Sequence, residues 1–187
     1  MVVNLNKAEI ILREIEKRAH NQFLPIVGRE RGRLLVEEIV RNKPKHVLEV
    51  GTLNRLFSYF NGQRTRQRPK IITIEIHPEE AKTAKDNIRK AEIYSEVEVI
   101  IGDAIQIIPR LNEIFDFVFI DAEKTEYFEY LRLIENKLHK DTVIVADNAG
   151  IFANQMSDYL QYVRDSEKYT SKYVPMGVDG LEITVKL

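Results

Sequence analysis

The sequence predicts an α/β protein with a Rossmann-like, doubly wound, seven-stranded and mostly parallel sheet. From residue 46 onward, short apolar runs alternate with segments of helical periodicity, which is typical of parallel strands joined by covering helices. Acidic residues stand at or next to the ends of five of these runs, where open α/β sheets bind ligands. The last two extended segments flank a glycine-containing turn at residues 177–180, which predicts an antiparallel pair at the C-terminus.

The individual elements follow from periodicity and from turn residues. Strands are predicted at His46–Val50, Ile71–Ile76, Val97–Ile101, Phe115–Ile120, Thr142–Ala146, Thr170–Val174 and Leu181–Leu187. Helices are predicted at Asn6–Ala19, Gly28–Val40, Glu79–Ala91, Glu126–Leu138 and Met156–Asp165, with one of uncertain start after Gly51 and a short one ending at Leu111. Pro78 suits the first position of a helix, whereas Pro44 ends the helix before it. Because no linker is evident, we expect one domain over residues 1–187, with helices in residues 1–43 packing on the core.

The composition narrows the classes of function. The 28 basic and 29 acidic residues nearly balance, so overall charge does not favour nucleic acid or an anionic membrane. The chain has no cysteine, which excludes disulfides, thiolate catalysis and cysteine-ligated zinc. Since neither a long apolar run nor a signal-peptide pattern is evident, we expect a soluble cytoplasmic protein.

Two neighbouring strands are predicted to end in potential metal ligands. Asp121 follows one apolar run, and Asp147 and Asn148 follow the next. The carboxyl ends of parallel strands meet at one edge of the sheet, and these oxygen donors suit Mg²⁺ or a similar divalent ion. Lys124 would then stand beside the metal as a base, and the alternative is a solvated lysine at a helix start.

The first strand, the second and the third end in residues typical of a nucleotide-type site. Gly51 follows the first strand, and Glu75 closes the second 24 residues later, near the spacing at which an acidic residue holds ribose hydroxyls. Asp103 follows the third strand and could face an adenine. The alternative is a plain turn glycine with incidental acids. The absence of G-x-G-x-x-G after the first strand disfavours a nicotinamide oxidoreductase.

Eight short stretches of the sequence, which include the strand-end motifs above, together resemble a known family. They lie in Val27–Gly32, Val47–Gly51, Ile72–Glu75, Ile101–Ala104, Ile108–Leu111, Val118–Lys124, Val145–Asn148 and Val178–Glu182. Through them, residues 21–187 resemble the class I S-adenosylmethionine (SAM)-dependent O-methyltransferases of the catechol O-methyltransferase type. The resemblance implies transfer of a methyl group from SAM to a hydroxyl of a small aromatic molecule or a modified nucleoside.

The resemblance also implies roles for particular residues. Cofactor-binding positions would be Val27, Glu49, Gly51, Glu75, Ile76, Gly102, Asp103, Ala104 and Asp121. Among these, Glu75 would hold the ribose, and Glu49 and Gly51 would line the methionine side. The divalent metal, Mg²⁺ or similar, would be bound by Asp121, Asp147 and Asn148, with Lys124 as the general base.

The sequence departs from the family pattern at three places. A second glycine in the first turn is replaced by Arg55, which could swing out, pair with the cofactor carboxylate or block the site. A blocked site would make the chain a binding or regulatory protein. An aromatic wall residue is replaced by Glu123, and a carboxylate that contacts substrate falls at about Met176.

Two interactions with macromolecules are also predicted. The basic stretch Arg64–Lys70, with Tyr59 and Phe60 upstream, could contact RNA, as in a tRNA-modifying relative, and the alternative is a solvated helix end. A homodimer would complete a cleft that the short chain leaves shallow.

Overall fold

The computed structural model describes residues 29–52, 69–90 and 96–187. The predicted helix at Asn6–Ala19, the helix after Gly51, the cofactor residue Val27, and Arg55 lie outside these ranges. The same holds for residues 64–68 of the basic stretch.

The described elements alternate in the predicted order. The helices are α1 (Arg29–Asn42), α2 (Pro78–Lys90), α3 (Ala104–Ile107), α4 (Tyr127–Ile134) and α5 (Ser157–Asp165). The strands are β1 (His46–Val50), β2 (Lys70–Glu75), β3 (Glu96–Ile101), β4 (Phe115–Ile120), β5 (Leu138–Ala146), β6 (Tyr169–Met176) and β7 (Asp179–Lys186). Each of the seven predicted strands therefore exists, and most strand ends lie within a few residues of the predicted positions.

The strands form one seven-stranded sheet in the order β3-β2-β1-β4-β5-β7-β6. Neighbours from β3 to β5 pair in parallel, whereas β7 pairs antiparallel with both β5 and β6. The predicted fold class is confirmed, including the C-terminal antiparallel pair. The strand order reverses between β1 and β4, and ligands of such sheets bind in the crevice at the carboxyl ends beside this reversal.

The central strands are buried on both faces of the sheet. One face packs against Tyr127 and Leu131 of α4 and Tyr159 of α5, and the other packs against Leu35 and Ile39 of α1. Burial on both faces explains why the strands read as continuous apolar runs rather than as alternating ones. Within the described ranges, no helix is long and apolar enough to cross a lipid bilayer.

The largest difference from the predicted elements is the start of β5. The predicted helix Glu126–Leu138 ends earlier, because its α-helical part stops at Ile134 and a 3₁₀ turn follows at Glu135–Lys137. Strand β5 then begins at Leu138 instead of Thr142. The register between β4 and β5 shifts here, and Asp141 has a φ of 69°. The polar residues at this irregularity are exposed, so their sequence gave no sign of a strand.

Candidate active site

A cleft of about 990 Å³ opens at the carboxyl ends of the parallel strands. Predicted site residues that line it are Gly51, Glu75, Ile76, Gly102, Asp103, Ala104, Asp121, Lys124, Asp147 and Asn148. Its volume lies in the range of small-molecule and cofactor sites. The structure thus brings together nearly all the residues that were predicted from strand ends. Glu49 is fully buried and is not among the lining residues.

The Glu75 carboxylate is held in place by backbone groups at the end of β2. Its Oε1 accepts the N–H of His77 at 2.9 Å, and its Oε2 accepts the N–H of Thr52 at 3.1 Å. Each carboxylate oxygen can accept a further hydrogen bond. Glu75 is therefore a fixed pair of acceptor oxygens at the wall of the cleft.

The turn after β1 requires a glycine for a reason that the sequence did not reveal. Gly51 has a φ of 89°, and a Cβ at this position would collide with the backbone carbonyl of Asp121. The Gly51 N–H donates to the carbonyl of Ile74 at 3.0 Å. The glycine thus allows the β1 turn to pack directly against the end of β4, which closes one side of the cleft.

Glu49 is the most unusual carboxylate in the described part of the chain. It is fully buried, and neither side-chain oxygen has a hydrogen-bond partner among the described residues. Burial raises the pKa of Glu49 to about 8; the nearby Thr73 hydroxyl opposes the rise, and the charges of Asp121 and Glu75 add to it. Because buried carboxylates are normally paired, this arrangement favours a cationic group in the neighbouring cleft.

Lys124 is held by two partners and is not a solvated surface lysine. Its Nζ donates to Asp121 Oδ1 at 2.9 Å and to the Tyr127 hydroxyl at 3.0 Å, and its side chain is 14% exposed. The 3₁₀ turn that carries Lys124 is capped by Glu123, whose carboxylate accepts the N–H of Thr125. The amine therefore stands at a defined position in the cleft wall.

Tyr127 connects this amine to the end of β5. Its hydroxyl donates to the Asp147 carbonyl at 3.3 Å while accepting from Lys124. Burial raises the pKa of Tyr127 well above its ordinary value, so the hydroxyl stays protonated. The ring is fully buried and packs edge-on against Tyr159 at 5.9 Å. Tyr127 thus packs in the core and is not among the residues that line the cleft.

Asp147 and Asn148 form the other wall of the cleft. Asp147 Oδ1 accepts from Arg31 Nη1 at 2.9 Å and from the backbone N–H of Asn148 at 2.7 Å. Burial and then the charge of Asp121 raise the pKa of Asp147 to about 6, although Arg31 opposes this. Ile120 pairs with Ala146 between β4 and β5, and the Asp147 N–H donates to the Ile120 carbonyl at 2.9 Å, so the two aspartates follow neighbouring strand ends, as predicted.

The donor set fits a hard divalent cation. Hydrogen bonds from the described residues reach Oδ1 of Asp121 and Oδ1 of Asp147, which leaves the second oxygen of each carboxylate without a donor. With the Asn148 amide oxygen these would offer three oxygen ligands, the kind that Mg²⁺ prefers. The described residues include no group of three or more His, Cys, Asp or Glu side chains that could hold a metal ion, so a site here would need the Asn148 amide as its third ligand.

Arg31 and Asp179 belong to the site, but sequence reasoning gave them no role. Arg31 Nη2 donates to Asp179 Oδ2 at 2.7 Å, and Asn148 Nδ2 donates to the same oxygen at 2.8 Å. Burial opposes ionisation of Asp179, but hydrogen bonds from Asn148 and from loop N–H groups hold its pKa below the ordinary value. Both residues lie in stretches that carry the family resemblance, which was the only available signal.

The departures from the family pattern have unequal structural consequences. Glu123 lines the cleft. Met176 packs against the hydrophobic cluster beneath α1 and is not among the lining residues. Lys70, the last residue of the basic stretch, pairs with Glu113 at 2.8 Å. The described residues thus offer no support for the predicted RNA contact or homodimer, which stay predictions.

The family model described as O-methyltransferase matches residues 4–165. Catechol O-methyltransferase B of Danio rerio is 34% identical over 184 residues, which cover 90% of this chain and 68% of that protein. Catechol O-methyltransferase of Niastella koreensis is 37% identical over 108 residues, covering 56% of this chain and 49% of that protein. The chain therefore spans only about half of the second relative.

Solved structures share the fold at lower identity. The O-methyltransferase from Bacillus cereus in complex with S-adenosylhomocysteine (SAH) has a TM-score of 0.83 at 22% identity, covering 100% of this chain and 94% of that one. The O-methyltransferase TomG from Streptomyces achromogenes, in complex with SAM, has a TM-score of 0.83 at 21% identity, covering 100% and 92%. From the family match and the zebrafish relative, the chain belongs to the O-methyltransferase family, a family of SAM-dependent enzymes.

Proposed function

We propose that the chain is a SAM-dependent, divalent-metal-dependent O-methyltransferase that methylates a hydroxyl group of a small aromatic molecule. The observation that carries the proposal is the position of the Lys124 amine, which is bonded to Asp121 and Tyr127 beside the Asp147–Asn148 turn. The names of the curated relatives, which are catechol O-methyltransferases, support the same class of substrate.

The cofactor would occupy the side of the cleft formed by β1, β2 and β3. SAM supplies a sulfonium methyl group, which passes to the substrate oxygen as the bond from sulfur to the methyl carbon breaks. Glu75 would accept hydrogen bonds from the ribose hydroxyls, and Asp103 and Ala104 would bound the adenine. Glu49 would face the positively charged methionine portion, whose charge would compensate its unpaired carboxylate.

Asp121, Asp147 and Asn148 would hold the divalent ion, and Mg²⁺ at this position would act as a Lewis acid toward the substrate oxygens. Asp121 would serve both the metal and Lys124, because its Oδ1 already accepts from the amine. The protein thereby fixes the amine and the predicted ligands relative to one another. Such alignment is the main requirement of an in-line displacement.

Lys124 would take the proton that leaves the substrate hydroxyl. Two of the three hydrogen positions around its Nζ are directed at Asp121 and Tyr127. The third is then the position from which a neutral amine can accept a proton. Because Tyr127 is fixed by burial and by its bond to the Asp147 carbonyl, this direction is set by the fold.

The apolar part of the cleft favours an aromatic ring as the substrate body. The Phe152 ring centre lies 6.0 Å from Lys124 Nζ, and Ile151 beside it is 55% exposed. Both residues line the cleft next to Asn148. A ring packed here would place its hydroxyl oxygens near the amine and the predicted metal ligands.

A methyl-transfer assay with SAM tests this proposal. Mass spectrometry would follow methylation of a catechol, a monophenol and a hydroxylated nucleoside, each with Mg²⁺ and with excess EDTA. The proposal predicts methylation of the catechol, little of the monophenol, and loss of activity in EDTA that Mg²⁺ restores. Methylation of the nucleoside alone would contradict the aromatic substrate class, and full activity in EDTA would contradict the metal.

A further inference from the structure

Asp179, the first residue of β7, is the most heavily hydrogen-bonded carboxylate at the cleft. Its Oδ1 accepts the N–H groups of Gly150 and Ile151, each at 3.0 Å. Its Oδ2 accepts from Arg31 and from the side-chain amide of Asn148, at 2.7 and 2.8 Å. Asp179 is 1% exposed, and the proposed reaction gives it no direct part.

These hydrogen bonds determine which way the Asn148 amide faces. A carboxylate can only accept hydrogen bonds, so the amide must turn its Nδ2 toward Asp179. The nitrogen and the oxygen lie on opposite sides of the amide, and the oxygen is therefore directed away from Asp179. With the opposite rotamer, Asn148 would direct an N–H₂ group to the metal position, where it could not act as a ligand.

The same carboxylate orients the other half of the ligand set through Arg31. The guanidinium spans Asp179 and Asp147, with Nη1 on Asp147 Oδ1. This contact and the Asn148 N–H both fall on Oδ1, so Oδ2 of Asp147 has no donor from the described residues. Arg31 thus selects which oxygen of Asp147 is available.

Asp179 also holds the backbone of the turn that carries the ligands. Asn148 has a φ of 63°, a conformation that asparagine tolerates better than most residues. The two N–H groups bonded to Asp179 Oδ1 belong to residues just beyond it. One side chain from β7 therefore fixes the backbone and the side-chain amide of the β5 turn together.

We propose that Asp179 is a positioning residue that orients the oxygen of Asn148 and, through Arg31, one oxygen of Asp147 toward the divalent ion. The inference rests on the metal site of the proposed function. Partners that orient metal ligands typically change metal affinity by about 10–100-fold when they are removed.

The test is titration of the purified full chain with Mn²⁺, followed by electron paramagnetic resonance of the free ion. SAH affinity, measured by calorimetry, reports whether each variant retains its folded cleft. Asp179→Ala is expected to weaken Mn²⁺ binding about 10–100-fold and to leave SAH binding in place. A double variant that carries both Asp179→Ala and Asn148→Asp is expected to recover most of the lost Mn²⁺ affinity, because a carboxylate offers an oxygen in either rotamer.

The matched control for charge is Glu126→Gln, which removes one negative charge from the cleft wall without touching Asp179. Its effect on Mn²⁺ binding should be small and should vanish at high salt, whereas the loss in Asp179→Ala should persist. If Asp179→Ala does not fold, Asp179→Asn keeps the side-chain size but has one acceptor oxygen in place of two, so a weaker Mn²⁺ affinity is again expected.

The outcomes separate this inference from the proposed function. If the unaltered chain binds SAH but not Mn²⁺, the metal part of the proposed function fails, and the positioning role fails with it. Mn²⁺ affinity that is normal in the unaltered chain and equal in Asp179→Ala overturns the positioning role alone. Equal, salt-sensitive losses in Asp179→Ala and Glu126→Gln would likewise overturn it in favour of a general charge effect.

Discussion

Two glutamates are fully buried in the same sheet, but only one of them has a hydrogen-bond partner among the described residues. Glu182 on β7 accepts from Arg164 Nε at 2.9 Å and Nη2 at 2.6 Å, and from the Ser171 hydroxyl at 2.8 Å. Glu49 on β1 has no partner among the described residues. The two carboxylates are equally buried, so the difference lies in what each region provides.

The different surroundings of Glu182 and Glu49 indicate that the first region serves stability and the second faces the binding cleft. The β6–β7 region with α5 supplies a bidentate cation for its buried charge, and the charge is satisfied without any ligand. The β1 region offers the Glu49 carboxyl no partner among the described residues, so ionisation of this group beside the large cleft costs stability. Substitutions near Glu182 should therefore affect mainly stability, and those near Glu49 and the cleft mainly binding and turnover.

The largest expected effect is on turnover, from replacement of Lys124 in the cleft. Lys124→Met should lower kcat about 10²–10⁴-fold, because no amine would remain to take the hydroxyl proton. Lys124→Arg is the matched control, since it keeps the charge but does not deprotonate, and it should lose as much activity. Steady-state kinetics of both variants measure this, and undiminished turnover in Lys124→Met would refute the base assignment.

The second-largest effect is expected on stability, from loss of the Arg164–Glu182 pair. Arg164→Met leaves Glu182 buried without a cation and should lower the free energy of unfolding by about 3 kcal/mol, with SAH affinity kept. Urea denaturation measures the change. The matched control is Arg89→Met, which removes the exposed pair with Asp86 and should cost less than about 1 kcal/mol. Equal losses in the two variants would contradict the structural role of Glu182.

Replacing Glu49 should change the free energy of unfolding in a pH-dependent way, and in the direction opposite to Arg164→Met. Its pKa is raised from 4.5 to about 8, so between these values the folded state binds more protons than the unfolded state. This contribution makes the protein lose stability as pH rises through that window. Glu49→Gln removes it, and the variant should become more stable relative to the parent as pH rises, while binding SAM more weakly. Parallel stability-pH curves for the two proteins would show that Glu49 is paired in solution.

The smallest effect is expected far from the cleft, where His139 pairs with Asp116 at 3.0 Å. The Lys140 carbonyl, followed by Asp116, raises the pKa of His139, so the pair should stabilise the fold below the ordinary histidine pKa. That stability is lost as pH rises through the raised value. Since His139 is 46% exposed, the effect should be small and salt-sensitive. Denaturation of His139→Gln at about pH 5 and about pH 9 checks it, and a deficit that is larger at the higher pH would have the wrong sign.

The sequence was sufficient for the features that depend on local pattern. Asp121 and Asp147 were predicted at one edge because each directly follows an apolar run, and parallel strands bring such ends together. The hydrogen bonds of Arg31 join residues 116 and 148 positions apart, and no local periodicity marks such contacts. The lack of partners at Glu49 likewise depends on packing among several strands. The predicted start of β5 was wrong, because the polar residues before Thr142 lie at an irregularity in the β4–β5 register.

The central claim is that the cleft binds the cofactor next to a divalent ion held by Asp121, Asp147 and Asn148. Calorimetric titration of the unaltered chain and of the Asp147→Ala variant, each with SAH and separately with Mg²⁺, tests it most directly. We expect SAH binding to both proteins, and a heat of Mg²⁺ binding in the unaltered chain that Asp147→Ala abolishes. Absence of SAH binding to the unaltered chain, or Mg²⁺ binding that survives in Asp147→Ala, would contradict it.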